Sequence, residues 1–251
     1  MATPSSPAEP IPIPRVFDPL PSGDSRRKVA RTPYGEPSGP LTFGRIRGRD
    51  VIFLARHGYG HTIAPHEVNY RANLWALKDA GADSVISVAS VGGIRADCFP
   101  GQLLLPHQII DYTWGRPSTY FEGAGVPVNH IDFTEPYSAS LRKVLLKAAA
   151  ACGEEIADGG VYAATQGPRL ETAAEINRLE RDGADLVGMT GMPEAALARE
   201  IGLEYATIAV VANYAAGRGE SQRAVPLDKI GEVLDESMGR VRRIIDRFCA
   251  G

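Results

Sequence analysis

Cysteine is scarce in this 251-residue chain. Cys98, Cys152 and Cys249 are far apart, odd in number and free of CxxC spacing or a nearby His cluster, which argues against a disulfide framework and against a zinc site. They predict reduced thiols in a reducing compartment. No long run of one charge occurs: 27 basic residues stand against 30 acidic ones, for a formal net charge of -3. That balance offers no electrostatic footprint for nucleic acid or an anionic membrane and favours a small-molecule partner. No stretch approaches the length needed to cross a bilayer, and the opening MATPSSPAEPIPIP has neither a basic nor an apolar signal region. The expectation is a cytoplasmic protein.

Proline, by contrast, is concentrated at the start, at positions 4, 7, 10, 12, 14, 19 and 21. Proline fixes φ and lacks the backbone N–H, so residues 1–31 read as an extended or disordered arm rather than an interior element. A compact domain is expected over residues 32–251, a length that one core can serve. DVIFLARHG reads as a buried strand delivering Arg56 and His57 at its C-terminal end, and VNYRANLWALKDAG as a helix burying Val68, Ala72, Leu74, Trp75 and Leu77. SVISVASVGGI, QLLLPHQIIDY, GGVYAATQG, DLVGM and YATIAVVANYAAG read as further strands. Between and after them, SASLRKVLLKAAAACG, ETAAEINRLERDGA, PEAALAREIG and LDKIGEVLDESMGRVRRIIDRFCA read as helices. Such alternation predicts a mainly parallel sheet covered on both faces, with ligands at the carboxyl ends of its strands.

Four polar loops fall at those strand ends: ARHGYGHT, ASVGGI, TQGPRLET with GMTGMPEA, and ANYAAG. Arg56 is a permanently charged fork suited to an oxyanion, with His57 and His61 alongside, but a surface Arg with two exposed histidines fits the segment equally well. The HxxxH spacing is a poor metal site here, because Gly58 and Gly60 oppose a helix. Glu171 is by itself better explained as an acidic residue favouring the next helix dipole. Asn213 can be a turn residue, although its amide both donates and accepts, as a purine edge requires. Met189 reads first as core, and Thr190 as a hydroxyl beside free N–H groups.

RHGYGHTIAPHEVNYRANLWALKDAGA, TQGPRLETAAEI and GADLVGMTGMPEAALAREIGL, in this order, resemble the purine nucleoside phosphorylase and methylthioadenosine phosphorylase family from about Thr32 to the C-terminus. The resemblance implies a single-domain α/β fold with a mixed, mainly parallel and barrel-like sheet flanked by helices. It also implies a homotrimer of purine salvage that needs no metal or cofactor and uses phosphate as co-substrate. Arg56, His57, Ser90 and Thr190 would bind phosphate; Met189, Thr190, Leu170, Val91, Gly92 and Val225 would bind the nucleoside. Asn213, Glu171 and His61 would sit at the reacting groups, and His130 would reach a neighbouring subunit's pocket. Glu171 with Asn213 resembles the 6-oxopurine enzymes, whereas adenine-specific members carry Asp at the latter position. No histidine follows Asn213 to bind a 5′-hydroxyl, so a 5′-methylthioinosine-like substrate is favoured over inosine.

Two departures concern one ligand. The glycine-rich GGTG-type phosphate loop of the family is replaced by AEPIPIPRVF, and Ala89 stands where Asn or Thr is common. A phosphorylase with a thinned phosphate site is therefore the first expectation. A hydrolase or other transferase on the same scaffold comes second, and a nucleoside-binding protein without turnover third.

Overall fold

The computed structural model describes residues 25–251; the proline-rich stretch up to Pro21 and the AEPIPIPRVF segment lie outside them. Arg26–Lys28 (β1), Leu41–Ile46 (β2) and Arg49–Phe53 (β3) form a small antiparallel sheet in the order β1-β2-β3. β1 thus falls within the stretch read as an arm. DVIFLARHG is corrected here. Its strand stops at Phe53, is only half-buried, pairs with β2 alone and lies outside the main sheet, so Arg56 and His57 sit in the turn that follows.

The main sheet contains Ser84–Gly93 (β4), Leu103–Leu105 (β5), Gln108–Asp111 (β6), Ala157–Asp158 (β7), Val161–Ala164 (β8), Leu186–Gly188 (β9) and Glu204–Tyr214 (β10). Their order is β6-β8-β9-β4-β10-β5-β7. QLLLPHQIIDY is two strands rather than one. Pro106 and His107 break the run, after which β5 pairs with β10 and β6 with β8, as expected where a proline removes a ladder donor.

The two longest strands, β4 and β10, run parallel from Glu204↔Ser84 to Val211↔Val91. β6, β8 and β9 form a second parallel set. The sets run in opposite directions and meet only through Gly92↔Val187 and Gly93↔Leu186. Because the overlap is two residues at the carboxyl ends, the loops leaving β4, β8, β9 and β10 gather in one place even though the sheet is not uniformly parallel. Gly93 is needed at the end of β4 for another reason: a Cβ there would collide with the carbonyl of Cys98, in the loop that folds back on the strand.

Helices Tyr70–Asp79 (α1) and Gly191–Glu200 (α4) cover one face, where Tyr70, Leu74, Ala195, Leu197 and Ala198 pack on Ala89, Val91 and Tyr162. Helices Ala139–Ala151 (α2) and Leu227–Ala250 (α5) cover the other through Leu141, Leu145, Val241 and Ile244. Ala173–Arg181 (α3) buries Ile176 and Leu179 against Ala163 and Val187. The helix starts are set locally. Asn69, Ser138 and Thr172 each accept a backbone N–H at a helix N-terminus, and Thr172 completes a capping box with Glu175.

Candidate active site

A cavity of about 1510 Å³ opens among the gathered loops and extends along β3, β4, α1 and α5, more than one small ligand requires. Arg56, His57, His61, Ser90, Val91, Gly92, Leu170, Glu171, Met189, Thr190, Asn213 and Val225 all line it. His130 does not; it is exposed on the long connection between β6 and α2.

Within the lining, Glu171 lies just before the first turn of α3. Capping does not consume it, because Thr172 and Glu175 already satisfy that helix terminus. Instead, Glu171 accepts a 2.6 Å hydrogen bond from Thr165 Oγ1, which also approaches the carbonyl of Gly188 at 3.3 Å. The side chain is thereby held from the strand β8 side. Asn213 follows a bulge in β10: the register with β4 shifts between Val211 and Asn213. Bulges re-aim side chains. Asn213 donates one Nδ2 hydrogen to the carbonyl of Tyr214 at 2.7 Å, so the second hydrogen and Oδ1 are available to a ligand.

Arg56 also lines the cavity, and its Nε and Nη2 contact Oε2 and Oε1 of Glu194 at 2.6 and 2.9 Å. Its Nη2 also donates to Ser87 Oγ. Glu194 Oε1 in turn accepts from the buried Tyr205 hydroxyl at 2.8 Å. The carboxylate raises the Arg56 pKa against the opposing effect of burial, so the guanidinium stays charged. One edge of the fork is fixed by Glu194 and the Nη1 corner has no protein acceptor among the described residues. His57 Nδ1 lies 2.9 Å from the carbonyl of Ile63. Only a protonated nitrogen can satisfy a carbonyl, which assigns the tautomer and makes Nε2 an acceptor. Burial, reinforced by the Arg56 charge, lowers the His57 pKa to about 4, leaving the ring neutral at pH 7. The His61 ring lies beside it, tilted by 32° with centroids 4.6 Å apart, and burial lowers its pKa as well.

Thr190 is buried at the start of α4, where its hydroxyl does not cap the helix and its N–H reaches Tyr162 Oη at 3.4 Å. The pleat of β4 sorts the remaining positions. Ala89 and Val91 face the α1/α4 side, as Ser87 does through Arg56, whereas Val88 packs on the opposite side with α5. Ala89 therefore shares the face of Arg56 and offers it no polar atom, while Ser90 lines the cavity from the other face.

Two residues that organise this geometry were not singled out in the sequence. Glu194 is the acid of GMTGMPEA, and Thr165 opens TQGPRLET. Both stand inside the densest motifs, but only contacts across the fold, with Arg56 and Glu171, give them roles. Among the described residues no group of three or more His, Cys, Asp or Glu is arranged to hold a metal ion, and no helix is long and apolar enough to cross a membrane.

A family model described as the phosphorylase superfamily matches residues 17–250. The chain is 54% identical over 216 residues to a probable S-methyl-5′-thioinosine phosphorylase of Pseudomonas syringae pv. tomato, covering 86% of this chain and 87% of that protein. It is 46% identical to the 6-oxopurine nucleoside phosphorylase of Pyrococcus furiosus, over 80% of this chain and 77% of that one. Among solved structures, the methylthioadenosine phosphorylase of Schistosoma mansoni in complex with adenine superposes with a TM-score of 0.87 at 32% identity, covering 93% of this chain and 87% of that one.

Proposed function

The chain belongs to the phosphorylase superfamily, and on that premise we propose that it cleaves the N-glycosidic bond of a 6-oxopurine nucleoside, 5′-methylthioinosine before inosine, with phosphate as the attacking group. The products are free base and methylthioribose 1-phosphate. The C1′–N9 bond breaks, its electron pair passes to the purine, an oxygen of hydrogen phosphate bonds to C1′, and the proton that hydrogen phosphate carried ends on the departing purine to give the neutral base.

The observation that carries this reading is Glu171, released from helix capping and held by Thr165 in the same cavity as Asn213 and Arg56. An ionised Glu171 accepts from the N1–H of hypoxanthine. The spare amide hydrogen of Asn213 donates to N7 or O6, where negative charge collects as the bond breaks, which stabilises the transition state over the ground state. Phosphate is taken by the Nη1 corner of Arg56, by Thr190 and by His57, whose Nε2 accepts the hydroxyl that a phosphate monoanion or hydrogen phosphate dianion carries; Ser90, whose side chain leaves β4 on the face away from Arg56, does not belong to this set. His61 and Met189 flank the sugar, with Leu170, Val91 and Gly92 around the nucleoside. Val225 with its neighbours Leu227 and Ile230 gives the cavity an apolar wall suited to a methylthio group, and the last histidine of the chain is His130.

The homologues' names favour the 6-oxopurine assignment, while the Schistosoma enzyme binds adenine; Glu171 with Asn213 is what selects between them. We further assign a cytoplasmic homotrimer, needing no cofactor and serving purine salvage, with residues 32–251 as its catalytic domain. Trp114, Phe121, Val126 and Val128 are exposed on the connection that bears His130, an apolar surface suited to a neighbouring subunit. The test is incubation with methylthioinosine, inosine and methylthioadenosine, with and without phosphate. Base release that requires phosphate and is fastest with methylthioinosine supports the proposal; base release without phosphate would identify a hydrolase.

A further inference from the structure

Arg116 is buried, at 8% exposure, on the connection between β6 and α2, and does not line the cavity. An arginine carries five N–H donors, and here every one is used. Nε reaches Gln166 Oε1 at 3.1 Å; Nη1 reaches the carbonyls of Met189 and Met192 at 2.9 and 2.6 Å; Nη2 reaches the carbonyls of Thr165 and Gln166 at 3.2 and 2.8 Å. The Tyr70 hydroxyl lies 3.3 Å from Nη1, and the Tyr70 ring lies beside the guanidinium, its centroid 5.6 Å from Cζ. No carboxylate pairs with Arg116 among the described residues, so four main-chain carbonyls, the Gln166 amide oxygen and the Tyr70 hydroxyl, all uncharged, replace its hydration. Burying a cation on such terms is costly and calls for a return.

The acceptors show what it gains. Thr165 and Gln166 open the loop that carries Glu171, and Thr165 is the residue that holds the Glu171 carboxylate. Met189 and Met192 bracket Thr190 at the start of α4. One planar fork therefore bolts two loops together, at a place where they already touch: a Cβ at Gly167 would collide with the sulfur of Met189. Resting on the nucleoside reading above, we propose that Arg116 is a positioning residue that fixes the spacing between the base-recognition loop and the sugar- and anion-binding loop. Turnover depends on that spacing, because the purine and the attacking group must be held in line across C1′. Binding of either half alone does not.

Arg116→Lys keeps the charge and replaces the planar fork with three rotating donors. The measurements are the melting temperature, the affinities for hypoxanthine alone and inorganic phosphate alone by calorimetry, and kcat with methylthioinosine at saturating phosphate. The expected result is a folded variant that binds each single ligand within about 3-fold of wild type, yet turns over about 100-fold more slowly, the scale of a reacting pair misplaced by an ångström. An unchanged kcat overturns the proposal. So does a parallel fall of both affinities, kcat and melting temperature, which marks a scaffold residue only. Should Arg116→Lys not fold, Gln166→Leu removes a single side-chain acceptor and is expected to show the same split at smaller amplitude. A wild-type protein that neither binds hypoxanthine nor releases it from methylthioinosine refutes the nucleoside reading itself, whereas a turning-over wild type matched by Arg116→Lys refutes only the role of Arg116.

Discussion

Arg56 lays its Nε and Nη2 against both carboxylate oxygens of Glu194, at 2.6 and 2.9 Å, across 138 residues of sequence. Both side chains are nearly buried. The pair leaves a single corner of the guanidinium to meet an anion, so Glu194 sets the direction from which phosphate can approach. It also balances the charge of Arg56 in a site where Ala89 offers no polar atom.

Removing one member of a buried pair leaves the other uncompensated. Glu194→Ala is expected to cost about 3–5 kcal/mol of stability, measured by chemical denaturation. Glu194→Gln keeps the shape and one acceptor, so it should fold better while raising the KM for phosphate more than the KM for nucleoside. Equal KM values for phosphate in Glu194→Gln and wild type would mean that the pair serves the fold alone.

Arg56→Ala removes the charged donor itself. With about 1.5–3 kcal/mol for a hydrogen bond to a charged group, the KM for phosphate should rise roughly 10- to 100-fold, with less change for nucleoside. Steady-state kinetics with phosphate as the varied substrate decide it, and an unaltered KM would place the anion site elsewhere.

Much of this arrangement was legible in the sequence, and the parts that were not have physical causes. Apolar periodicity located α1, α2, α3 and α5, and the β-branched runs located β4 and β10, because local pattern and burial agree there. DVIFLARHG misled because an apolar run does not reveal which sheet it joins: β3 pairs with β2 only. Glu171 looked like a capping residue since sequence alone cannot show that Thr172 and Glu175 had already closed that helix end. Arg116 gave no signal at all, as four of its acceptors are main-chain carbonyls, which any residue type can present.

Asn213→Asp exchanges an amide that can donate for a carboxylate that, when ionised, cannot. Turnover of methylthioinosine should fall by roughly 10-fold or more, in line with losing one hydrogen bond that strengthens in the transition state. Cleavage of methylthioadenosine should become detectable. Competition assays with the two nucleosides measure this, and unchanged preference would refute the base assignment.

His57 makes stability depend on pH. The folded ring takes a proton only near pH 4, against 6.5 ordinarily, so the unfolded chain binds more protons between those values. The contribution is complete above pH 6.5 and is lost as pH falls toward 4. Denaturation midpoints of wild type and His57→Asn, compared from pH 7 to 4.5, should converge at the acidic end; a constant difference would show that the ring is not held neutral.

The most direct test is to follow free hypoxanthine and sugar phosphate when the purified protein meets methylthioinosine in the presence and absence of inorganic phosphate. Stoichiometric base and methylthioribose 1-phosphate, formed only when phosphate is supplied, is the predicted result. Hypoxanthine appearing at the same rate without phosphate, or no hypoxanthine under either condition, would contradict it.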